Sequence, residues 1–151
     1  MVGYPDHTFQ SLNSITRAQT VVMLWREAGS PAPTTSAGFT DIAPGAWYEA
    51  AADWAAEGAI VTGYTIDNTF RGDNPIERGA FIMMLWRQAG TPPPGTPHPL
   101  TDVPPWLEDG VAWAFEQGIV SGYPDGTFQG TNPINRGQSV NSFSKAVTLP
   151  G

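Results

Sequence analysis

The sequence predicts a mainly α-helical chain of tandem helix–turn–helix repeats, and three recurrences predict it. A Gly-Tyr turn occurs at Gly3-Tyr4-Pro5-Asp6-His7-Thr8-Phe9, at Gly63-Tyr64-Thr65-Ile66-Asp67-Asn68-Thr69-Phe70 and at Gly122-Tyr123-Pro124-Asp125-Gly126-Thr127-Phe128. Each is followed by an Ile-x-Arg step, at Ile15-Thr16-Arg17, Ile76-Glu77-Arg78 and Ile134-Asn135-Arg136, with a period of roughly sixty residues. A tryptophan pair seven residues apart occurs twice, Trp47 with Trp54 and Trp106 with Trp113. Seven residues is two helical turns, which puts both members of a pair on one helix face.

Taken in order, residues 1–29 form a partial repeat of turn and second helix. Thr16 with Gln19 three residues on has the form of a capping box, and Val21, Val22, Leu24, Trp25 and Ala28 give the helix its apolar positions. Residues 30–38, rich in Pro, Ser and Thr, read as an exposed linker. Residues 39–90 form a full repeat. Phe39-Thr40-Asp41-Ile42 leads into a first helix with the stripe Trp47, Ala50, Ala51, Trp54 and Ala55. Gly58 is expected to close it in a left-handed cap, with Ile60 as the hydrophobic residue behind the cap. The second helix opens at Glu77. Its run Phe81-Ile82-Met83-Met84-Leu85-Trp86 is apolar nearly all round and should be the most buried. Residues 91–99 are a Pro-rich linker, and 100–151 a second full repeat. That repeat starts at Leu100-Thr101-Asp102-Val103, caps its first helix at Gly118-Ile119, and has a second helix that decays to Ser142-Phe143-Ser144-Lys145-Ala146-Val147.

Composition narrows the function. The chain has 151 residues, 40% of them hydrophobic, and a net charge of −7. That sign disfavours a nucleic-acid backbone as partner, and no run is long and apolar enough for membrane insertion. Cysteine is absent, which removes disulfides, thiol chemistry and cysteine metal sites. The N-terminal residues show no charged and apolar pattern of a signal peptide. His7 and His98 stand isolated in turn or linker sequence, and no metal or cofactor is expected. Asp67-Asn68 and Asp73-Asn74 suit turns better than an EF-hand loop. The acids Glu49, Asp53, Glu57, Glu108, Asp109 and Glu116 fall on solvated helix faces, and no pair is singled out for glycosidase chemistry. The expectation is a chain that is not an enzyme.

With only seven cations in the chain, the arginines at the three helix starts stand out. At the first helical position a guanidinium sits beside free backbone N–H groups and the positive end of the helix dipole, an arrangement suited to a carboxylate or phosphate. The competing structural reading has each arginine pairing with an acid such as Asp41 or Asp102 and fixing the repeat. Glu77 replaces the cap residue in the middle copy and would compete with an anion for Arg78. Trp25, Trp54, Trp86 and Trp113 are expected in the core. Trp47 and Trp106 are equally suited to core packing and to stacking on a sugar ring.

The order Asp102, Trp106, Gly118-Ile119, Gly122 to Phe128 and Ile134 to Arg136 resembles the S-layer homology repeat, over nearly the whole chain. The resemblance implies a pseudo-threefold, three-pronged helical bundle. Its grooves would bind secondary cell-wall polysaccharide through an anionic, pyruvylated sugar. It implies Arg17, Arg78 and Arg136 as anion contacts, and Trp47, Trp106, Gly3, Gly63 and Gly122 as groove residues. The sequence departs from the family's Thr-Arg-Ala-Glu helix start: Gln19, Ala80 and Gln138 stand where the glutamate would be, and only Arg17 keeps Thr-Arg-Ala. The first copy also lacks its Trp-bearing helix. Completing the pseudo-trimer would take that helix from preceding sequence or from a neighbouring molecule.

The expected function is a secreted, non-catalytic module at the bacterial cell wall or surface, with an anionic cell-wall polysaccharide as partner. The alternative is a structural subunit that self-associates through its repeats into a filament, lattice or particle. On the ligand reading, replacing Arg17 or Arg136 by alanine weakens glycan binding and spares the fold.

Overall fold

The structure, a computed structural model, describes residues 13–147. Gly3, His7 and the first Gly-Tyr turn lie outside that range. The described residues form helices α1 (Arg17–Glu27), α2 (Glu49–Glu57), α3 (Arg78–Gln88), α4 (Glu108–Glu116) and α5 (Arg136–Val147), with a short 3-10 turn at Pro105–Leu107 before α4. None of these helices is long and apolar enough to cross a membrane. The chain divides into two compact units. One comprises Ile15–Pro75; the other combines residues 13–14 with 76–147. The break at Pro75 falls inside the sequence copy 39–90. The helices that pack most extensively are therefore the second helix of one copy and the first helix of the next, α1 with α2 and α3 with α4; α3 also meets α5.

In the first unit, α1 starts as its sequence dictates. Thr16 Oγ1 accepts the Gln19 amide at 3.1 Å, and Gln19 Oε1 accepts the Thr16 amide at 2.9 Å, the reciprocal pair of a capping box. Ala18, Val21, Val22, Met23 and Leu24 are buried, while Ala28, beyond the helix end, is exposed. Against them α2 sets Ala51, Ala52 and Ala55, all fully buried. Trp47 is not part of that stripe. It precedes the helix, after the Pro44-Gly45 turn, so helical periodicity does not govern its side chain. Trp54 is half-buried rather than core. Trp25 is half-buried too, because its indole N–H leans out to donate to the Pro31 carbonyl at 2.8 Å. Trp86 does the same to Pro92 at 2.9 Å.

The end of α2 differs from the sequence expectation by one residue. The Ile60 amide donates to Ala55 O at 2.8 Å and the Ala59 amide to Ala56 O at 3.1 Å, the two bonds of a Schellman closure. The left-handed residue is thus Ala59, at φ +59°, and Gly58 sits at φ −84°. At the equivalent place in α4, Gly118 takes φ +74° and Ile119 is buried. An exposed alanine held left-handed is strained, and Ala59→Gly should raise stability by roughly 1 kcal/mol. A thermal or urea melt checks this, and unchanged or lower stability would contradict the strain.

Both linkers are exposed but tethered. Glu57 accepts the amide (2.8 Å) and the hydroxyl of Thr34, and Asp53 accepts the Ala37 amide at 3.1 Å. Glu116 accepts the amides of Gly95 at 2.6 Å and Thr96 at 3.2 Å. Several of the helix acids expected on solvated faces therefore fasten the linkers. The Thr34 hydroxyl and amide hold the Glu57 carboxyl below its usual range.

In the second unit, Phe81, Ile82, Met83, Met84 and Leu85 of α3 are all buried, as the apolar run predicts. The approach of α4 to α3 depends on Gly110, where an added Cβ would lie 2.5 Å from Met83 Sδ. Trp113 of α4 is buried. α5 opens with its own capping box, Asn135 Oδ1 accepting the Gln138 amide at 2.7 Å and Gln138 Oε1 the Asn135 amide at 3.2 Å. Its buried serines are bonded: Ser139 to Arg136 O at 2.8 Å and Ser142 to Ile119 O at 3.4 Å. Isolated antiparallel bridges join Thr16 to Pro75 in the first unit, and Glu77 to Pro133 and Asn135 to Ser14 in the second. Each pairs a helix-start position with the matching position two residues earlier in another copy.

Candidate functional site

The three arginines do occupy the first helical position, but the amides there are not free. The Arg17 and Ala18 amides donate to Asn74 O and Gly72 O, both at 3.0 Å. The Arg78 and Gly79 amides donate to Asn132 O and Gly130 O, both at 2.9 Å, and the Arg136 amide to Asn13 O at 2.8 Å. The turns that follow Phe70 and Phe128, and Asn13 for α5, supply these carbonyls, so these helix-start amides are already satisfied by protein.

The side chains are committed as well. Arg17 is 9% exposed, Arg78 8% and Arg136 2%. Arg17 Nε donates to Phe70 O at 2.9 Å, and its guanidinium lies 5.1 Å from the Tyr64 ring and 5.2 Å from the Phe70 ring. Arg78 repeats the arrangement on Phe128 O at 3.1 Å, with ring distances of 5.0 Å to Tyr123 and 5.1 Å to Phe128. The equivalent carbonyl for Arg136 would be Phe9, outside the described residues. Burial pulls the Arg78 guanidinium below its usual pKa, and Tyr123 opposes that shift.

Asp41 and Asp102 grip the same phenylalanines by their amides. Asp41 accepts Phe70 N at 2.8 Å and Arg71 N at 2.7 Å; Asp102 accepts Phe128 N at 2.7 Å and Gln129 N at 2.9 Å. The Phe128 amide is the main reason the Asp102 carboxyl titrates below its usual range. Phe70 and Phe128, both fully buried, are thus clamped, each with a carboxylate on its N–H and an arginine on its C=O. The preceding turn keeps its shape through Asp67 and Asp125, whose Oδ1 atoms accept the amides of Thr69 and Thr127, both at 3.1 Å. Gly63 and Gly122 are needed for close approach: at φ +71° and +78°, an added Cβ would come within 2.4 Å of Phe39 Cε1 and 2.5 Å of Leu100 Cδ2.

Of the residues singled out from sequence, Arg78 and Gly122 come together at an open cavity of about 160 Å³ in the second unit. Tyr123, Gln138, Asn141 and Lys145 line it with them. Gln138 donates to the Tyr123 hydroxyl at 3.3 Å. Among the described residues lining it, two are cations and none is a carboxylate, in a chain of net charge −7. In the first unit the corresponding Tyr64 ring carries Arg71 at 3.7 Å in addition to Arg17, with Arg71 also 3.5 Å from Asp67. Gln129 takes the place of Arg71 in the second unit and bonds Thr127 Oγ1 at 3.2 Å. Trp47 and Trp106 are 63% and 60% exposed; Trp47 meets Tyr48 edge-on at 5.1 Å. Neither lines the Arg78 cavity.

The His98 side chain is buried beside Glu108, its Nε2 3.0 Å from Glu108 Oε1 but out of line for a hydrogen bond. Its Nδ1 accepts the Leu100 amide at 3.0 Å, which puts the imidazole proton on Nε2 and leaves no lone pair there for a metal. Among the described residues no group of three histidines, cysteines or acids is placed to hold a metal.

The family model described as S-layer homology domain matches residues 38–82 and 99–138. This chain belongs to the S-layer homology domain family. Each matched stretch of the S-layer homology chain runs from the residue before the clamping aspartate's Phe or Leu, through the first helix and the turn, into the start of the second helix. The chain is 28% identical over 160 residues to Cell surface glycoprotein 1 of Acetivibrio thermocellus, covering 96% of this chain and 7% of that protein. It is also 28% identical over 155 residues to the Cellulosome-anchoring protein of the same organism, covering 96% of this chain and 34% of that protein. The S-layer homology chain therefore spans about a third or less of the curated relatives it matches.

Proposed function

We propose that the chain is a non-catalytic anchoring module of the bacterial surface that holds an anionic cell-wall glycan in the Arg78 groove. The observation carrying this reading is charge: the cavity joins Arg78 and Lys145 with no described carboxylate, on a chain that is otherwise strongly acidic. Arg78 Nε is spent on Phe128, so the terminal guanidinium nitrogens are its means of meeting a carboxylate. Gln138, Asn141, Ser121 and Ser142 offer the amides and hydroxyls that sugar hydroxyls need. A pyruvylated sugar would supply the carboxylate on a ring small enough for such a cavity. The names of the two relatives, a surface glycoprotein and an anchoring protein, agree with a secreted, wall-associated location.

The test is co-sedimentation of the chain with cell walls that retain their anionic polysaccharide and with the same walls after its extraction. Binding to the first and its loss on the second is expected. Equal binding to both would overturn the reading. A second reading, self-assembly, is favoured by Trp47, Trp106 and Ile66, which remain 63%, 60% and 89% exposed. Light scattering over a range of concentrations tests it, since an assembling subunit gains mass with concentration and a self-contained module does not.

A further inference from the structure

The wall of the groove opposite the Ile119–Tyr123 segment is one face of α5. Gln138, Asn141, Ser142 and Lys145 line it at helical spacing i, i+3, i+4 and i+7. Gln138, bonded to Tyr123, marks the end beside the Arg78 guanidinium. Lys145, in the last turn of α5, marks the other. Seven residues of helix set these ends about 10 Å apart along the axis. That is longer than one sugar ring, and the side chains between the two cations are neutral donors and acceptors.

Resting on the anionic-glycan reading, we infer that the groove takes a stretch of acidic oligosaccharide rather than a single acidic sugar, with Lys145 as a second anion subsite that reads a carboxylate further along the chain. Arg78 is buried and held on Phe128, so it meets its anion in a fixed place. Lys145 is exposed on a flexible stem, so its contact is looser and more readily screened by salt. The division of labour is a fixed first contact and an adaptable second one. The competing explanation for Lys145 is that it serves only the C-terminal dipole of α5.

The test measures affinity of the full chain and of Lys145→Gln for monogalacturonate and trigalacturonate at low salt, by calorimetry. The expected result is tighter binding of the trimer by the unmodified chain. Lys145→Gln should lose about fivefold in trimer affinity, the scale of one exposed ion pair, a larger loss than for the monomer, with Lys145→Arg restoring it. Unchanged trimer affinity in Lys145→Gln, with both sugars still bound, overturns the second subsite and leaves the Arg78 site standing. Equal weakening for monomer and trimer also overturns it, since that is a general field effect. If the unmodified chain binds neither sugar, the anionic-glycan reading of the groove falls, and this inference with it.

Discussion

Trp113→Ala should lower the unfolding free energy by about 3–5 kcal/mol, the cost of truncating a buried aromatic. Trp113 is 4% exposed and shares its helix with the buried Val111, Ala112 and Ala114. The collapse needed to refill the space is hindered because Gly110 already brings α4 against Met83. Trp54, the same position in the previous copy, is half-buried, and its truncation should cost clearly less. Urea unfolding followed by circular dichroism compares the two variants. Equal losses would mean that the two first helices are equally sealed, against the burial seen here.

Arg78→Ala should cost roughly 2–3 kcal/mol, the scale of a lost hydrogen bond from a charged donor. It leaves the Phe128 carbonyl without its Nε partner and removes the cation resting between Tyr123 and Phe128. Arg78→Lys keeps the charge but lacks the planar fork, and should recover only part of the loss. The same melts check this; a stability loss below about 0.5 kcal/mol for Arg78→Ala, the range of ordinary surface changes, would show that the clamp is energetically idle. The burial of Arg17 and Arg136 extends the argument to them, and revises the expectation that either could be removed with the fold spared.

Much of this was legible in the sequence because local chemistry fixes it. Thr16 with Gln19, and Asn135 with Gln138, cap their helices as their spacing requires. Ile60 and Ile119 close the Schellman ends, and Phe70 and Phe128 fill the core. What escaped depends on segments far apart in the chain. The helix-start amides look free until Asn74 and Asn132 are brought against them. Ala59, not Gly58, takes the left-handed role because five residues separate tryptophan from isoleucine in both copies, which fixes the cap one residue before the isoleucine, at Ala59 in one copy and Gly118 in the other. The α5 wall of the groove escaped because α5 reads as a decayed copy. Polar side chains at Gln138, Asn141 and Lys145 resemble a solvated face until Gly122 and Tyr123 are set opposite. The signal available was the i, i+3, i+7 spacing of those residues in a helix whose apolar positions had been lost.

The offset between sequence copy and packing unit has a kinetic consequence. The clamps join Arg17 to Phe70 and Arg78 to Phe128, across 53 and 50 residues. Loops of that length must close before either bond can form, so folding is limited by distant encounters and not by the rapid growth of individual helices. Both linkers lie inside these loops. A protease that cuts residues 30–38 or 91–99 would therefore leave two fragments of one unit still clasped together. The same cut made before folding would strand a helix from its partner, making synthesis, rather than residence outside the cell, the vulnerable stage of this chain's life.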